Sequence, residues 1–452
     1  MISRISFVAV VMLGASLLVI AQTDSSGPQG GTNSQFAYSE VLTPPLPVSG
    51  VRAPLRLSSE APRSNLLTGS MTFSTAYDDN MLTSAQHRVG DWSYLFFPTL
   101  GIAQTRERWN LDFGYSPGFT INQKLNERNQ SAHDLHFLFG YRLSPHVSLQ
   151  VRDSFNKSTT LFSSAMPNGT EQAAPIQGPN TSLITPYANT TSNSSGLDLT
   201  YQFGRDSMVG ISGGYYFTNY DTPGTPGQNY GFIDTRSWNG DAFYAHRFAG
   251  RHWIGATYNY QRLLFDPGYR TDVQRALLFY SVSLSSHMSL SLWAGPETSR
   301  SLVPILVLGS DGTPVWHRSW YGAGGLTWTW QGTRTGFSLD TSQQTSDGGG
   351  LTQAVRMQQA GGEIRRRLTQ RWTTSVGALY AKNAPLMSST VSGFKTWSGN
   401  AGFDYQLTDH LGLALRYGRY QQKYTESVLN PSINRNRGWV SISYSFTRPL
   451  GR

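Results

Sequence analysis

From about residue 65 onward the chain alternates apolar and polar side chains with a period of two. Leu197, Leu199, Tyr201 and Phe203 alternate with Asp198, Thr200 and Gln202. Trp109, Leu111, Phe113 and Tyr115 alternate with Asn110, Asp112 and Gly114, and Ile254, Ala256, Tyr258 and Tyr260 with Gly255, Thr257 and Asn259. A helix would space its apolar residues three or four apart, so these stretches predict strands. Each strand has a single apolar face, as required of a strand with lipid on one side and a polar lumen on the other. About 9–11 such residues span a bilayer.

Connection lengths alternate as well. Tight turns fall at Arg106-Glu107, Ser144-Pro145, Arg205-Asp206, Gly250-Arg251 and Thr408-Asp409. Longer polar connections lie between them, the longest from about Asn156 to Ser195. Short turns at one end and long loops at the other are the asymmetry of bacterial outer-membrane barrels. The pattern predicts an all-β fold, a transmembrane antiparallel up-and-down barrel of about 18 strands, with 16 as the alternative. The strands run from 66–77 to 435–447, and the even number puts both ends on the periplasmic side. The stretch 353–368 fits least well. Its apolar parity changes between Met357 and Ile364, which predicts a bulge or a mispaired register. At the C-terminal end Val440, Ile442, Tyr444 and Phe446 alternate with serines, resembling the aromatic-ended final strand by which such barrels are recognised for assembly.

Composition sharpens this picture. Of 452 residues only 14% are charged, against about 25% in an average soluble chain. The sequence has 13% aromatic residues, 46 Gly and no Cys. Without Cys there is no disulfide scaffold, zinc–thiolate site or thiol nucleophile. Beyond the N-terminal stretch no apolar run reaches the roughly 18 residues of a membrane helix. Residues 1–21 read as a signal peptide, with Arg4 before the apolar stretch Ile5–Ile20 and cleavage expected after Ala21. A single membrane anchor is the alternative. Residues 22–64, rich in Ser, Gly, Thr and Pro, read as a flexible periplasmic segment, or as a plug that enters the lumen. Residues 65–452 are then the barrel.

Parity also nominates the lumen. Asp112, His136, Arg142, Arg152, Asp198, Asp241, Arg247, Arg275, Asp340, Arg356, Asp404 and Arg416 are the expected lumen-lining charges. A barrel of 16–18 strands is wide enough for an aqueous channel, and charges in it either line water or pair with each other. Trp253 and Trp293 have lumen parity and are candidates for stacking on sugars. Trp320, Trp328 and Trp330 share the parity of Leu326 and should face lipid. Arg365-Arg366-Arg367, at a strand end, reads as an interfacial anchor. The net charge of +9 suggests an anion preference. No compact basic cluster with interleaved aromatics supports nucleic-acid binding. The nine His show no metal-ligand spacing. No catalytic residue, metal or cofactor is expected.

Thr75-Ala76-Tyr77-Asp78-Asp79-Asn80, at the end of the first strand, resembles the Tyr-Asp-Asp/Ser-Asn opening of the beta-barrel porin 2 group. These are outer-membrane barrels often associated with exopolysaccharide systems. The resemblance implies a large outer-membrane barrel with a role in passing or exporting polysaccharide, and carries over no catalytic residue. From the residues alone, the acidic pair reads as a solvated loop entry, with a loop cap or a weak cation site as alternatives. The function expected is a channel for hydrophilic solutes, saccharide or exopolysaccharide among them. The expected partners are the lipid bilayer and lipopolysaccharide, the outer-membrane assembly machinery and polysaccharide export components. A non-conducting surface barrel displaying the 156–195 loop is the second reading, and an outer-membrane hydrolase the third.

Overall fold

The computed structural model describes residues 65–85, 87–159, 180, 182, 189–221, 232–266, 268–303, 315–386, 393–424 and 432–450. The signal segment and the Pro-rich segment anticipated over 1–64 lie outside the described residues. The strands are β1 (Asn65–Asp78), β2 (Asp91–Thr105), β3 (Trp109–Asn122), β4 (Gln130–Arg142), β5 (Val147–Thr159), β6 (Asn189–Gln202), β7 (Ser207–Asp221), β8 (Thr235–Phe248) and β9 (His252–Phe265). They continue as β10 (Tyr269–Ser285), β11 (Met288–Val303), β12 (Val315–Gln331), β13 (Thr335–Gly348), β14 (Thr352–Arg367), β15 (Trp372–Pro385), β16 (Phe394–Gln406), β17 (Leu411–Tyr424) and β18 (Ile433–Pro449). Each pairs antiparallel with its sequence neighbours, and β1 pairs with β18 from Leu66↔Pro449 to Asp78↔Arg437. The sheet is therefore a closed 18-stranded barrel without a free long edge.

The period-two pattern maps onto the two faces of this wall. Ile211, Ile254, Leu278, Val376 and Leu415 face outward and are at least half exposed. Their register neighbours on the other parity face the lumen. Only closed barrels and helices satisfy every backbone group within a bilayer, so this apolar belt marks the membrane-facing side. On β12 the outward residues run from Trp330 near the short-turn end up to Trp320, ten residues away. At about 3.3 Å per residue and a tilt of about 40° the two rings stand about 25 Å apart. That is the height of an apolar band between aromatic girdles.

The glycines fit between large neighbours. Gly255 pairs with Phe279, Gly210 with Phe243 and Gly325 with Trp293. In each case a Cβ on the glycine would collide with the partner's ring, so the aromatic lies flat across the neighbouring strand. Gly196 beside Arg152 and Gly402 beside Arg416 do the same for guanidinium groups.

The structure differs from the sequence reading in two places. The connection expected over 156–195 is shorter, because β5 and β6 pair up to Thr159↔Asn189. Their upper residues are mostly Ser, Thr and Asn, so the hydrophobic pattern fades while the backbone ladder continues. Second, β14 carries no bulge between Met357 and Ile364: its pairing with β13 is regular from Thr335↔Arg366 to Ser346↔Val355, and the shift lies at Ser346/Gly348. Both parities are real. Met357 points inward and is fully buried, whereas Ile364 points outward and is half exposed.

Candidate functional site in the barrel lumen

Two inward folds shape the lumen at the long-loop end. The larger is the end of the β13–β14 hairpin. β12 and β13 pair only from Gly324↔Gln343 down to Gln331↔Gly336, half the length over which β11 and β12 pair. Above Gln343 the hairpin leaves the wall, and Gln344 to Gly350 are all buried. It lands on β9–β11. Glu297 accepts the Thr345 amide at 3.1 Å and the Thr345 hydroxyl at 2.5 Å. Arg275 donates to Glu297 at 2.6 Å, to the Thr345 carbonyl at 2.6 Å and to Asn259 at 2.6 Å. Both side chains are fully buried. A buried ion pair retains its charges only where its remaining hydrogen bonds are met, and here the hairpin backbone meets them.

The hairpin tip reaches β7 as well. Tyr216 donates to Asp347 at 3.0 Å, and Asp347 also accepts the amides of Asn180 at 2.9 Å and Gly349 at 3.1 Å. Asn180 in turn donates to Asn383 of β15 at 2.9 Å. The Ile233 amide donates to the Gly350 carbonyl at 2.9 Å. Gly350 has φ of +80°, and a side chain there would run into the Tyr220 ring. Beside these polar contacts Tyr216, Leu263, Phe265, Ala354 and Leu386 form an apolar cluster inside the barrel.

The smaller fold follows β1. Asp78, expected in a solvated loop entry, is 3% exposed and binds Arg435 of β18 at 2.6 and 2.7 Å. Asp79 accepts the Asn436 amide at 2.7 Å and its side-chain amide at 2.6 Å. Asn80 is fully buried, donates to the carbonyls of Asn434 at 2.9 Å and Ser84 at 2.7 Å, and accepts the Ser84 amide at 3.0 Å. The Tyr-Asp-Asp-Asn stretch thus clasps the first strand to the last. Every carboxylate in it has a protein donor, which replaces the readings of solvated entry and cation site.

The sequence-nominated charges differ in their surroundings. Asp112 and His136 face each other at 3.1 Å on the inner wall of β3 and β4, with side chains 50% and 45% exposed. Arg152 pairs with Asp198, and Arg416 with Asp404 at 2.6 Å, on the lumen side. Asp241 accepts from Ser212 at 3.1 Å and Asn259 at 2.7 Å. Arg247 sits at the short-turn rim with Asp206 at 3.0 Å. Arg142, at the short-turn end of β4, and Asp340, opposite Gly361, share the inward parity. Arg275 is inward but lies beneath the hairpin. Arg356 shares the parity of Ile364 and stacks on Tyr321 at 4.9 Å, wedged between hairpin and wall rather than lining water.

The two tryptophans proposed for sugar contact also differ in their surroundings. Trp293 is 9% exposed and packs with Met208, Leu277 and Phe279, and Trp253 leans on the same cluster. Both lie on the inner wall that parity indicated; Trp293 is covered by its neighbours, whereas Trp253 is only partly buried. Of the Arg365-Arg366-Arg367 run, Arg365 and Arg367 point inward and only Arg366 outward, so the triplet is not a single interfacial anchor.

Sequence reasoning missed Glu297, Asp347 and Arg435. Glu297 could have been found, because it shares parity with Trp293. Asp347 could not, because it belongs to a strand end that leaves the wall.

No family model matches this sequence, and no curated protein matches it. Among solved structures it is similar to OccK2 (OpdF) of Pseudomonas aeruginosa, with 9% identity, TM-score 0.45, and coverage of 85% of this chain and 98% of that one. OccK2 in complex with glucuronate matches at 11% identity and TM-score 0.44, covering 84% and 98%. The outer membrane protein OpdK from the same organism matches at 10% identity and TM-score 0.43, covering 84% and 99%.

Proposed function

We propose that the protein is an outer-membrane channel for small hydrophilic solutes. The observation that carries this reading is the Asp112–His136 pair: two ionisable side chains point inward and remain about half open to water. A lumen filled by side chains would have buried them, and 18 strands leave room for an aqueous path. Basic and acidic groups alternate along the inner wall, which suits polar solutes of either charge.

Two inward folds at the long-loop end favour small solutes, sugars among them, over a polymer. The hairpin narrows one side, held by Arg275 and Glu297. A role beside polysaccharide export components would then be supply of small precursors or passage of fragments. The alternating, aromatic-ended β18 suits recognition by the outer-membrane assembly machinery.

The test is conductance of the refolded protein in a planar bilayer under a salt gradient. Discrete current steps are expected. A correctly folded barrel that stays silent would overturn the channel reading in favour of a non-conducting surface barrel.

A further inference from the structure

The outward face carries two rows of cations just above the upper aromatic girdle. The first crosses β9 to β12. Arg262 stands opposite Asp272, Asp272 opposite Arg300, and Arg300 opposite Arg318. Arg270 joins it, bonding Asp272 at 2.6 Å. Four arginines thus face a single carboxylate. Arg300 and Arg318, directly paired across two strands, have no carboxylate partner among the described residues. The second row crosses β15 to β17: Lys382 opposite Lys395, and Lys395 opposite Lys423. It too has no acidic partner among the described residues. Like charges placed directly opposite one another destabilise a sheet, so both rows call for an anion from outside the chain.

Geometry says where that anion lies. Trp320 is 62% exposed and Trp397 54%, both outward, and each sits one outward position below a row. The rows therefore stand at the headgroup level of the leaflet around the long-loop end. Arg300 stacks on Trp316 at 4.1 Å and Arg318 on Trp320 at 4.8 Å. The Nε–H of Arg318 donates to Thr298 at 3.2 Å, and a guanidinium stacked on a ring still presents its remaining in-plane N–H donors to phosphate.

We infer that these rows bind the phosphorylated headgroup of an outer-leaflet glycolipid, each row taking a separate molecule. The inference rests on the outer-membrane placement proposed above, but not on the lumen conducting.

The experiment refolds the full chain into phosphatidylcholine vesicles containing either bis-phosphorylated lipid A or its dephosphorylated form. The barrel is then extracted in detergent with EDTA, and retained lipid is measured by mass spectrometry. Wild type should retain the bis-phosphorylated form and not the dephosphorylated one. R300Q/R318Q and K395Q/K423Q should each lose the molecule of its own row and so lower retention roughly two-fold, and the variant combining all four changes should lower it at least about ten-fold. Equal retention of both lipids by wild type overturns the proposal without needing any variant. So does unchanged retention in both folded double variants, or displacement of the lipid by inorganic phosphate at equimolar level. Conductance separates the two readings. A silent barrel that retains phosphorylated lipid A removes only the channel. A conducting barrel indifferent to lipid phosphate removes only this inference.

Discussion

At the scale of single residues, the buried Arg275–Glu297 ion pair has a mechanical role. Arg275 and Glu297 grip the hairpin backbone at Thr345 from the adjoining β10–β11 wall. Removing one partner strands the other as an uncompensated buried charge, at a cost of about 3–5 kcal/mol. Arg275→Ala should therefore free the hairpin, and the expected result is faster protease cleavage near Ser346–Gly350 together with a larger single-channel conductance. Glu297→Ala should do the same, and the double variant should cost less than the two single changes added together. Asp112 makes the opposite kind of prediction. Its side chain is half open to water, so Asp112→Asn should leave stability nearly unchanged. It should shift the reversal potential in a salt gradient toward anion preference, because one inward negative charge is lost. Gly255 is constrained by space. A methyl group there would overlap the Phe279 ring and approach the Tyr244 carbonyl. Overpacking of this sort costs about 1–3 kcal/mol, and urea unfolding followed by loss of heat-modifiable mobility should show it for Gly255→Ala.

At the scale of elements, the strands were legible because lipid imposes one rule on each of them. An outward residue between the girdles must be apolar, and this rule produces the period of two in β3, β6 and β9. Legibility ends where lipid ends. The upper parts of β5 and β6 pair through Ser, Thr and Asn, and no sequence pattern marks them as strand. The candidate site was half legible for the same reason. Parity placed Asp112, His136, Arg152, Asp198, Asp404 and Arg416 on the inner face. It could not show that Arg275 is roofed by a hairpin from β13 and β14, since that contact joins residues 70 apart in sequence. It could not show that Trp293 is covered by its neighbours either. The clasp after β1 is a short element with a large lever. Asn80 makes bonds to both the β18 end and its own loop. Asn80→Ala should loosen the β1–β18 seam selectively, with faster hydrogen exchange at Arg435–Arg437 and little change at the β9–β11 wall.

At the scale of the whole molecule, the barrel is asymmetric around its axis. One arc of wall is thickened inside by the β13–β14 hairpin, and β3–β4 holds the half-exposed pair. A solute path, if measured by site-by-site blocking of introduced thiols, should follow β3–β4 and avoid β9–β11. The absence of native Cys makes each introduced thiol unique. The seam between β1 and β18 has a further consequence, in time rather than in space. Asp78 and Arg435 are 357 residues apart, so the β1–β18 contacts that close the wall become available only after β2 to β17 have been made. Contacts this distant in sequence form slowly, and until they form the sheet has two open edges able to pair with other chains. Every intermediate short of the final strand is therefore an unfinished ribbon rather than a smaller vessel. A chain that stops before Ile433 should leave no narrower pore behind. It should enter aggregates or be degraded, and its strands, however well patterned, should confer no conductance at all.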